Sequence, residues 1–171
     1  LKKIFDVIEC SGVLHHMQNP DEGLHALVQQ LNPGGYIQLG LYSKSARKVI
    51  TKTREYIRKA GIEASARNIR EFRKKVFAGE IKEILNLRDS WKDFYSLSEC
   101  RDLCFHPQEH LYTTEKIERL LGSQGLRFCG FIIPTEIESL YNSRFPEDVK
   151  ITSLRNWGIF ENENPSAFAS M

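Results

Sequence analysis

Two stretches of the chain hold side chains whose types and spacing can do chemistry. The first is Phe5-Asp6-Val7-Ile8-Glu9-Cys10-Ser11-Gly12-Val13-Leu14-His15-His16-Met17, an apolar strand that breaks at Ser11-Gly12 and resumes as an apolar segment closing on two imidazoles. In open α/β sheets, ligands bind just past the carboxyl end of a strand, which is where this break falls. The second stretch runs from Ser90 to His110 and gathers Trp91, Phe94, Tyr95, Cys100, Arg101, Asp102, Cys104, His106, Glu109 and His110. Arg101 can hold a carboxylate or phosphate through two N–H groups at once. His106 or His110 can move a proton, and Glu109 can orient either ring. A plainer account stands beside this one: Arg101 pairs with Asp102 or a neighbouring acid, and the histidines satisfy buried backbone groups.

The elements that must position these residues follow from periodicity and caps. Ile4, Phe5, Val7 and Ile8 predict a strand with Lys2 and Lys3 at its solvated start, and Asp6 is a surface residue or a polar contact to a neighbouring element. Asn19 to Leu31 predicts a helix: Asn19 can cap, Pro20 suits the first helical position, and Asp21 with Glu22 complements the positive end of the dipole. Its Leu24, Leu27, Val28 and Leu31 form a stripe, and His25 falls off it into solvent. Asn32-Pro33-Gly34-Gly35 reads as a turn into a second strand, Tyr36 to Tyr42, in which Gly40 permits a close backbone approach. Strand, loop, helix, turn and strand make one βαβ crossover.

From Lys44 the chain becomes basic and helical. Lys44 to Lys82 holds 13 Lys or Arg against 4 Glu, with apolar residues at Val49, Ile50, Ile57, then Ile69, Phe72, Val76, then Ile81, Ile84, Leu85. Three amphipathic helices separated near Gly61 and Gly79 are expected. Such a segment can follow a phosphate backbone, but it lacks the aromatic platform of single-strand binders. A solvated face or lid is favoured. Further on, Thr113 or Thr114 starts a helix with Ile117, Leu120 and Leu121 inward, and Leu126 to Ile133 alternates like a strand that Pro134 ends. The acidic tail reads as loop with one or two short helices anchored by Trp157 and Phe160.

Composition narrows the function classes. With 171 residues, 41% hydrophobic and 27% charged, the chain can build one domain with a core. A net charge of +2 gives no global pull toward nucleic acid or membrane. No run of 18 apolar residues supplies a membrane-spanning helix, and a charged-then-apolar leader with a small-residue cleavage site is not expected from the opening residues. Cys10, Cys100, Cys104 and Cys129 match no common zinc spacing, and a metal is not expected; Cys100 and Cys104 lie one helical turn apart, but two sulfurs alone make a weak site. Reduced cysteines serving as small apolar residues, in the cytoplasm, are the simpler account. His15 or His16 could instead belong to a hydrolase, yet Ser11-Gly12 does not fill a Gly-x-Ser-x-Gly elbow.

FDVIECSGVLHHMQNP, followed at close range by LNPGGYIQLGLY, resembles the fourth-to-fifth-strand half of class I S-adenosylmethionine-dependent methyltransferases, of the kind often fused to tetratricopeptide repeats. Matching segments later in the chain are Cys100 to His110 and Trp157 to Met171. The family's glycine-rich first loop has no counterpart here.

The resemblance implies an α/β fold: a partial Rossmann-like sheet with strands equivalent to the fourth, fifth and sixth, a helical insertion, and the N-terminal half of the sheet missing. It implies three regions, a core at 1–43, a helical insertion or lid at 44–110, and a return to the core at 111–171. S-adenosylmethionine would meet Cys10, Ser11, Gly12, Leu14 and His15, and His16, Tyr42, Arg101, His106, Glu109 and His110 would look toward an unknown methyl acceptor. Because the chain opens at Leu1, already inside a strand, it is expected to be a piece of a longer protein and inactive alone. Its uncovered sheet edge is expected to promote self-association. The rival reading is a non-enzymatic polyanion or RNA binder working through the basic helices of 44–82.

Overall fold

The computed structural model describes residues 4–84, 87 and 91–169. Lys2, Lys3, Leu85, Ser90, Ser170 and Met171, to which the sequence assigns a strand start, a place on a helical stripe, the head of the aromatic block and the chain's end, lie outside the described residues. The chain divides into two compact units, one of residues 1–46 and 108–171 and the other of residues 47–107. No helix among the described residues is long and apolar enough to cross a membrane.

In the first unit, strand β1 (Phe5–Ser11) leads through a 3-10 turn at Leu14–His16 into helix α1 (Pro20–Val28), then strand β2 (Leu31–Gly40). β1 and β2 are parallel, as a helical crossover requires. The expected Asn32-Pro33-Gly34-Gly35 turn is present but lies inside β2: Phe5 pairs with Leu31 and Val7 already with Tyr36, so the four residues bulge out of the ladder. Asn32 Nδ2 donates to Asp6 Oδ1 across it at 2.7 Å, so the exposed Asp6 is both a surface residue and a polar contact. α1 begins where expected, with Pro20 in its first turn, but Asn19 makes no capping bond; its amide instead reaches Glu22 at 2.8 Å.

The second strand was expected to run to Tyr42. It stops at Gly40, and Tyr42–Ser43 forms a separate strand β3 that pairs in parallel with β4 (Leu111–Tyr112). Leu41 is the hinge, because the chain there leaves one hydrogen-bonding partner for another. Cys10, Leu14, Leu24, Tyr112 and Leu120 are buried together, with Ile37 and Leu39 packed against them, so one face of the β1–β2 sheet is covered. On the other face Val7 is 66% exposed and its ladder partner Tyr36 64%.

Thr113 caps α5 (Thr114–Ser123) by accepting from the Lys116 amide, as its sequence predicts. A third full strand is not formed among the described residues. Residues 126–133 alternate in burial but join no ladder, which corrects the assignment of a strand to Leu126–Ile133. Alternation is only half of what a strand needs; the other half is a neighbour's backbone. After them come α6 (Thr135–Arg144) and α7 (Leu154–Glu163).

Trp157, fully buried on α7, stacks on Tyr141 of α6 with ring centroids 3.8 Å apart, and Phe145, Phe160 and Ala167 complete that core. Asp148 ties the α6–α7 connection, accepting from the Tyr141 hydroxyl at 2.6 Å and from the backbone N–H groups of Thr152 and Ser153. Partial burial raises its carboxyl pKa, but these three donated bonds outweigh it and hold the group below its ordinary value of 3.8. A carboxyl lowered on folding stabilises above its unfolded pKa and loses that contribution as pH falls through the folded value. Below about pH 4, therefore, the unfolding midpoint drops, and Asp148→Asn, which cannot titrate, drops less over the same acid range. Parallel acid curves for both proteins would remove Asp148 as the cause.

The second unit packs α2 (Lys48–Lys59), α3 (Ala66–Phe77) and α4 (Leu97–Phe105) around Phe72, whose ring meets Phe94 and Phe105 edge-on at 6.1 and 5.7 Å. Two of the three predicted basic helices are α2 and α3; where the third was expected, only a short 3-10 turn at Lys82–Ile84 is described. Ile50 and Ile57, with Ile69, Phe72 and Val76, point inward at the spacing the sequence shows. Ser65 and Ser96 cap α3 and α4 by accepting from the amides of Asn68 and Glu99.

Candidate functional site

The site is built at the carboxyl ends of β1 and β2. Ser11 ends β1 opposite Gly40, the last residue of β2. The two backbones run so close that a Cβ on Gly40 would stand 3.0 Å from Ser11 Cα and 2.9 Å from its Cβ. Gly40 is therefore required by contact, as its position in the strand suggested. Beyond Ser11 the chain turns at Gly12 with φ +74°, a conformation side chains rarely tolerate, and the space where its Cβ would be is open.

That turn delivers Leu14 and His15 inward and leaves His16 half-buried. His15 is completely buried, its ring 3.9 Å from that of Tyr42, with the His16 ring against it at 4.3 Å. The loop before β4 is laced onto this turn. The His110 amide donates to His15 O at 2.7 Å, and His16 Nδ1 lies 3.1 Å from Gln108 O. A carbonyl can only accept, so His16 donates from Nδ1, and in the neutral ring its lone pair sits on Nε2. Met17 O is 3.0 Å from both Gln108 Nε2 and His110 Nε2. The Gln108 amide carries two hydrogens and donates one to Met17 O; His110 Nε2, 3.1 Å from the same amide nitrogen, accepts the other in one tautomer and donates to Met17 O in the other.

Cys10, Ser11, Gly12, Leu14, His15, His16, Tyr42, Glu109 and His110 thus belong to one unit. Arg101 and His106 belong to the second unit, where Arg101 Nη2 donates to Ala64 O and fastens the loop before α3. Arg54 likewise donates from Nε and Nη2 to Leu103 O at 3.0 and 2.8 Å, satisfying a carbonyl in the last turn of α4. Cys100 and Cys104 are both buried on α4. The hydrogen bond between their thiols pulls Cys100 down and, with burial, pushes Cys104 up. Cys10 is raised by burial.

Sequence reasoning missed three participants. Gln108 lay in a stretch already singled out but received no role; its side chain and carbonyl bridge Met17 and His16. Ser43 donates to Glu161 at 2.5 Å, and this glutamate is 6% exposed. Tyr112 is buried in the ladder beside Ser43, which pushes its hydroxyl pKa up to about 12. These pairings span 91 and 118 positions, and no local pattern announces them.

No protein-family model matches the chain. It is 37% identical over 139 residues to an uncharacterized protein of Synechococcus sp., a match covering 74% of this chain and 32% of that protein. It is 24% identical over 139 residues to the mitochondrial ubiquinone biosynthesis O-methyltransferase of Schizosaccharomyces pombe, covering 80% of this chain and 46% of the enzyme. The chain spans less than half the length of either curated relative. Its likeness to a methyltransferase is distant, and its parallel α/β core is compatible with a partial Rossmann-like fold.

Proposed function

We propose that the carboxyl ends of β1 and β2 form one wall of an S-adenosylmethionine site, and that the protein containing this wall transfers a methyl group to an acceptor. One observation carries the reading: two parallel strands end side by side, and the turn leaving the first passes through an open, positive-φ glycine beside a buried imidazole. That is the ligand position of an open α/β sheet. The distant likeness to an O-methyltransferase supports it.

The residues present suit the group as one wall. Gly12 lets a ligand reach the backbone of Cys10 and Ser11 without meeting a side chain. Leu14 and His15 supply a buried floor, held by the Tyr42 ring. When bound, S-adenosylmethionine supplies a methyl group already activated by positive sulfur, so the transfer asks for positioning more than for strong acid or base. On the acceptor side, Nε2 of neutral His16 can take the proton from a hydroxyl as its oxygen is methylated. Tyr42 and His110 hold that side of the turn in place, and Glu109, with Arg101 and His106 of the second unit, is an acceptor-side proposal. The ribose-binding acid and glycine-rich loop of the resembled family have no counterpart in the 171 residues, so this chain alone is expected not to methylate.

Isothermal titration with S-adenosylhomocysteine tests the reading. The 171-residue chain should bind weakly or not at all, and a polypeptide extended upstream should bind in the micromolar range. In that longer protein Gly12→Val should weaken binding about tenfold or more, through strain at φ +74°. His16→Gln should lower turnover while leaving the affinity unchanged. Full binding by the Gly12→Val variant would falsify the assignment.

A further inference from the structure

The second unit carries a positive charge that the whole chain's net +2 conceals: residues 47–107 hold 15 Lys or Arg against 9 Asp or Glu. Helix α3 concentrates it, with five basic residues and Glu71 as its one acid. Arg67, Arg70, Lys74 and Phe77 are exposed and follow the i, i+3, i+7, i+10 spacing of one helix face. Glu71 is engaged by Arg67 at 3.1 Å, while Arg70 and Lys74 stand one turn apart, where like charges repel. The helix dipole favours cations in the last turn, at Lys74 and Lys75, but not at Arg67 and Arg70 nearer the start.

Where that stripe ends, two rings far apart in the sequence meet. Tyr95, 58% exposed, lies 5.4 Å from Phe77, itself 38% exposed, and the buried Phe94 backs Phe77 at 5.4 Å. Arg73 fixes the pair: its guanidinium sits over the Phe77 ring at 5.8 Å, donates from Nε to Phe94 O at 3.0 Å, and donates from Nη2 to Tyr95 O. Lys92 and Asp93, on the turn that carries Tyr95, offset each other. Tertiary packing thus assembles beside the basic helix the aromatic platform that the sequence lacks as a local cluster.

We propose that this surface binds a single-stranded nucleic acid, with Arg70 and Lys74 on successive phosphates and a base stacked on Tyr95. Stacking on a ring and contact with a phosphate are the two halves of sequence-tolerant single-strand binding. From Arg67 to Phe77 the helix rises about 15 Å, the length of about four stacked nucleotides, which is the low end of such sites. A lipid surface suits it less, because Ile69, Phe72 and Val76, the apolar face of α3, are buried in the unit's own core and cannot be inserted. An acidic peptide would supply charge without a flat ring at every step. The surface lies wholly in the second unit and owes nothing to the methyltransferase reading.

Fluorescence anisotropy of the 171-residue chain with a labelled uridine octamer tests it, beside an abasic octamer of equal charge and vesicles of phosphatidylserine and phosphatidylcholine. The uridine octamer should bind in the micromolar range, with log affinity falling by about 2 for each tenfold rise in salt. A thymidine deoxyoctamer should bind within a few-fold of it, since stacking and phosphate contact ignore the sugar. The abasic octamer should bind about tenfold more weakly. Tyr95→Ala should bring the uridine and abasic affinities together, and Tyr95→Phe should keep them apart. Arg70→Gln should weaken both and flatten the salt slope by about 0.7. Equal binding of uridine and abasic octamers by the unsubstituted chain means charge attraction alone and overturns the proposal. Undiminished binding of the uridine octamer by Tyr95→Ala also overturns it, as does capture by vesicles without binding of the octamer.

Discussion

Replacing Trp157 with alanine is expected to lower the unfolding free energy by about 3–5 kcal/mol, the range for deleting a large, fully buried aromatic. The indole is completely buried, stacks on Tyr141 at 3.8 Å, and meets Phe131, Phe160 and Phe168 at 5.4 to 5.5 Å. Its Nε1 also donates to Ile151 O at 3.1 Å. Ile151 is the one described non-glycine residue with positive φ, at 55°, so the indole holds a conformation the local chain disfavours. The alanine variant loses packing, a hydrogen bond and that restraint together. Trp157→Phe keeps most of the ring contacts and should lose clearly less. Urea denaturation followed by circular dichroism measures both. A cost for Trp157→Ala under about 1 kcal/mol would mean that the α6–α7 core is not cooperative with the rest of its unit.

Gly40→Ala should be the second most damaging change, and it links the fold to the site. Its new methyl group would sit 2.9 to 3.0 Å from the Cα, Cβ and Oγ of Ser11, and the Ser11 backbone belongs to the same ladder, so it cannot simply swing aside. Overpacking of this kind costs about 1–3 kcal/mol. It also pushes apart the two strand ends that the cofactor wall requires, so affinity for S-adenosylhomocysteine in the longer protein should fall by more than the stability loss alone explains. Ser11→Gly removes two of the three clashing atoms. The double variant should therefore recover a large part of both losses, a coupling that two independent sites would not show. Additive losses would place the damage elsewhere than this contact.

Much of the architecture was legible before any coordinates. α1, α2, α3 and α5 announce themselves by a 3.6-residue stripe, and α1 and α5 also by Pro20 and Thr113 at their starts. The break at Ser11-Gly12, the close approach at Gly40, and the anchoring by Trp157 and Phe160 were likewise readable, because each depends on residues adjacent in sequence or on one residue's own shape. The basic count of 44–82 was legible too, but not what some of it does: Arg54 and Arg73 donate to the carbonyls of Leu103 and Phe94.

Strand membership was a different matter. Residues 126–133 have the alternation of a strand without the ladder, and Leu31–Gly40 has the ladder despite an Asn-Pro-Gly-Gly bulge inside it. The lacing of Gln108 and His110 to Met17, and the pairing of Ser43 with Glu161, join positions 91 to 118 residues apart. By itself, then, the sequence determined α1, α2, α3 and α5 and the place where the first strand breaks into a loop, since those rest on interactions within one or two turns of the chain. Only the tertiary structure decided which backbone edges are paired, which remain open, and which imidazole nitrogen donates, because a hydrogen bond's second partner can lie anywhere along the chain.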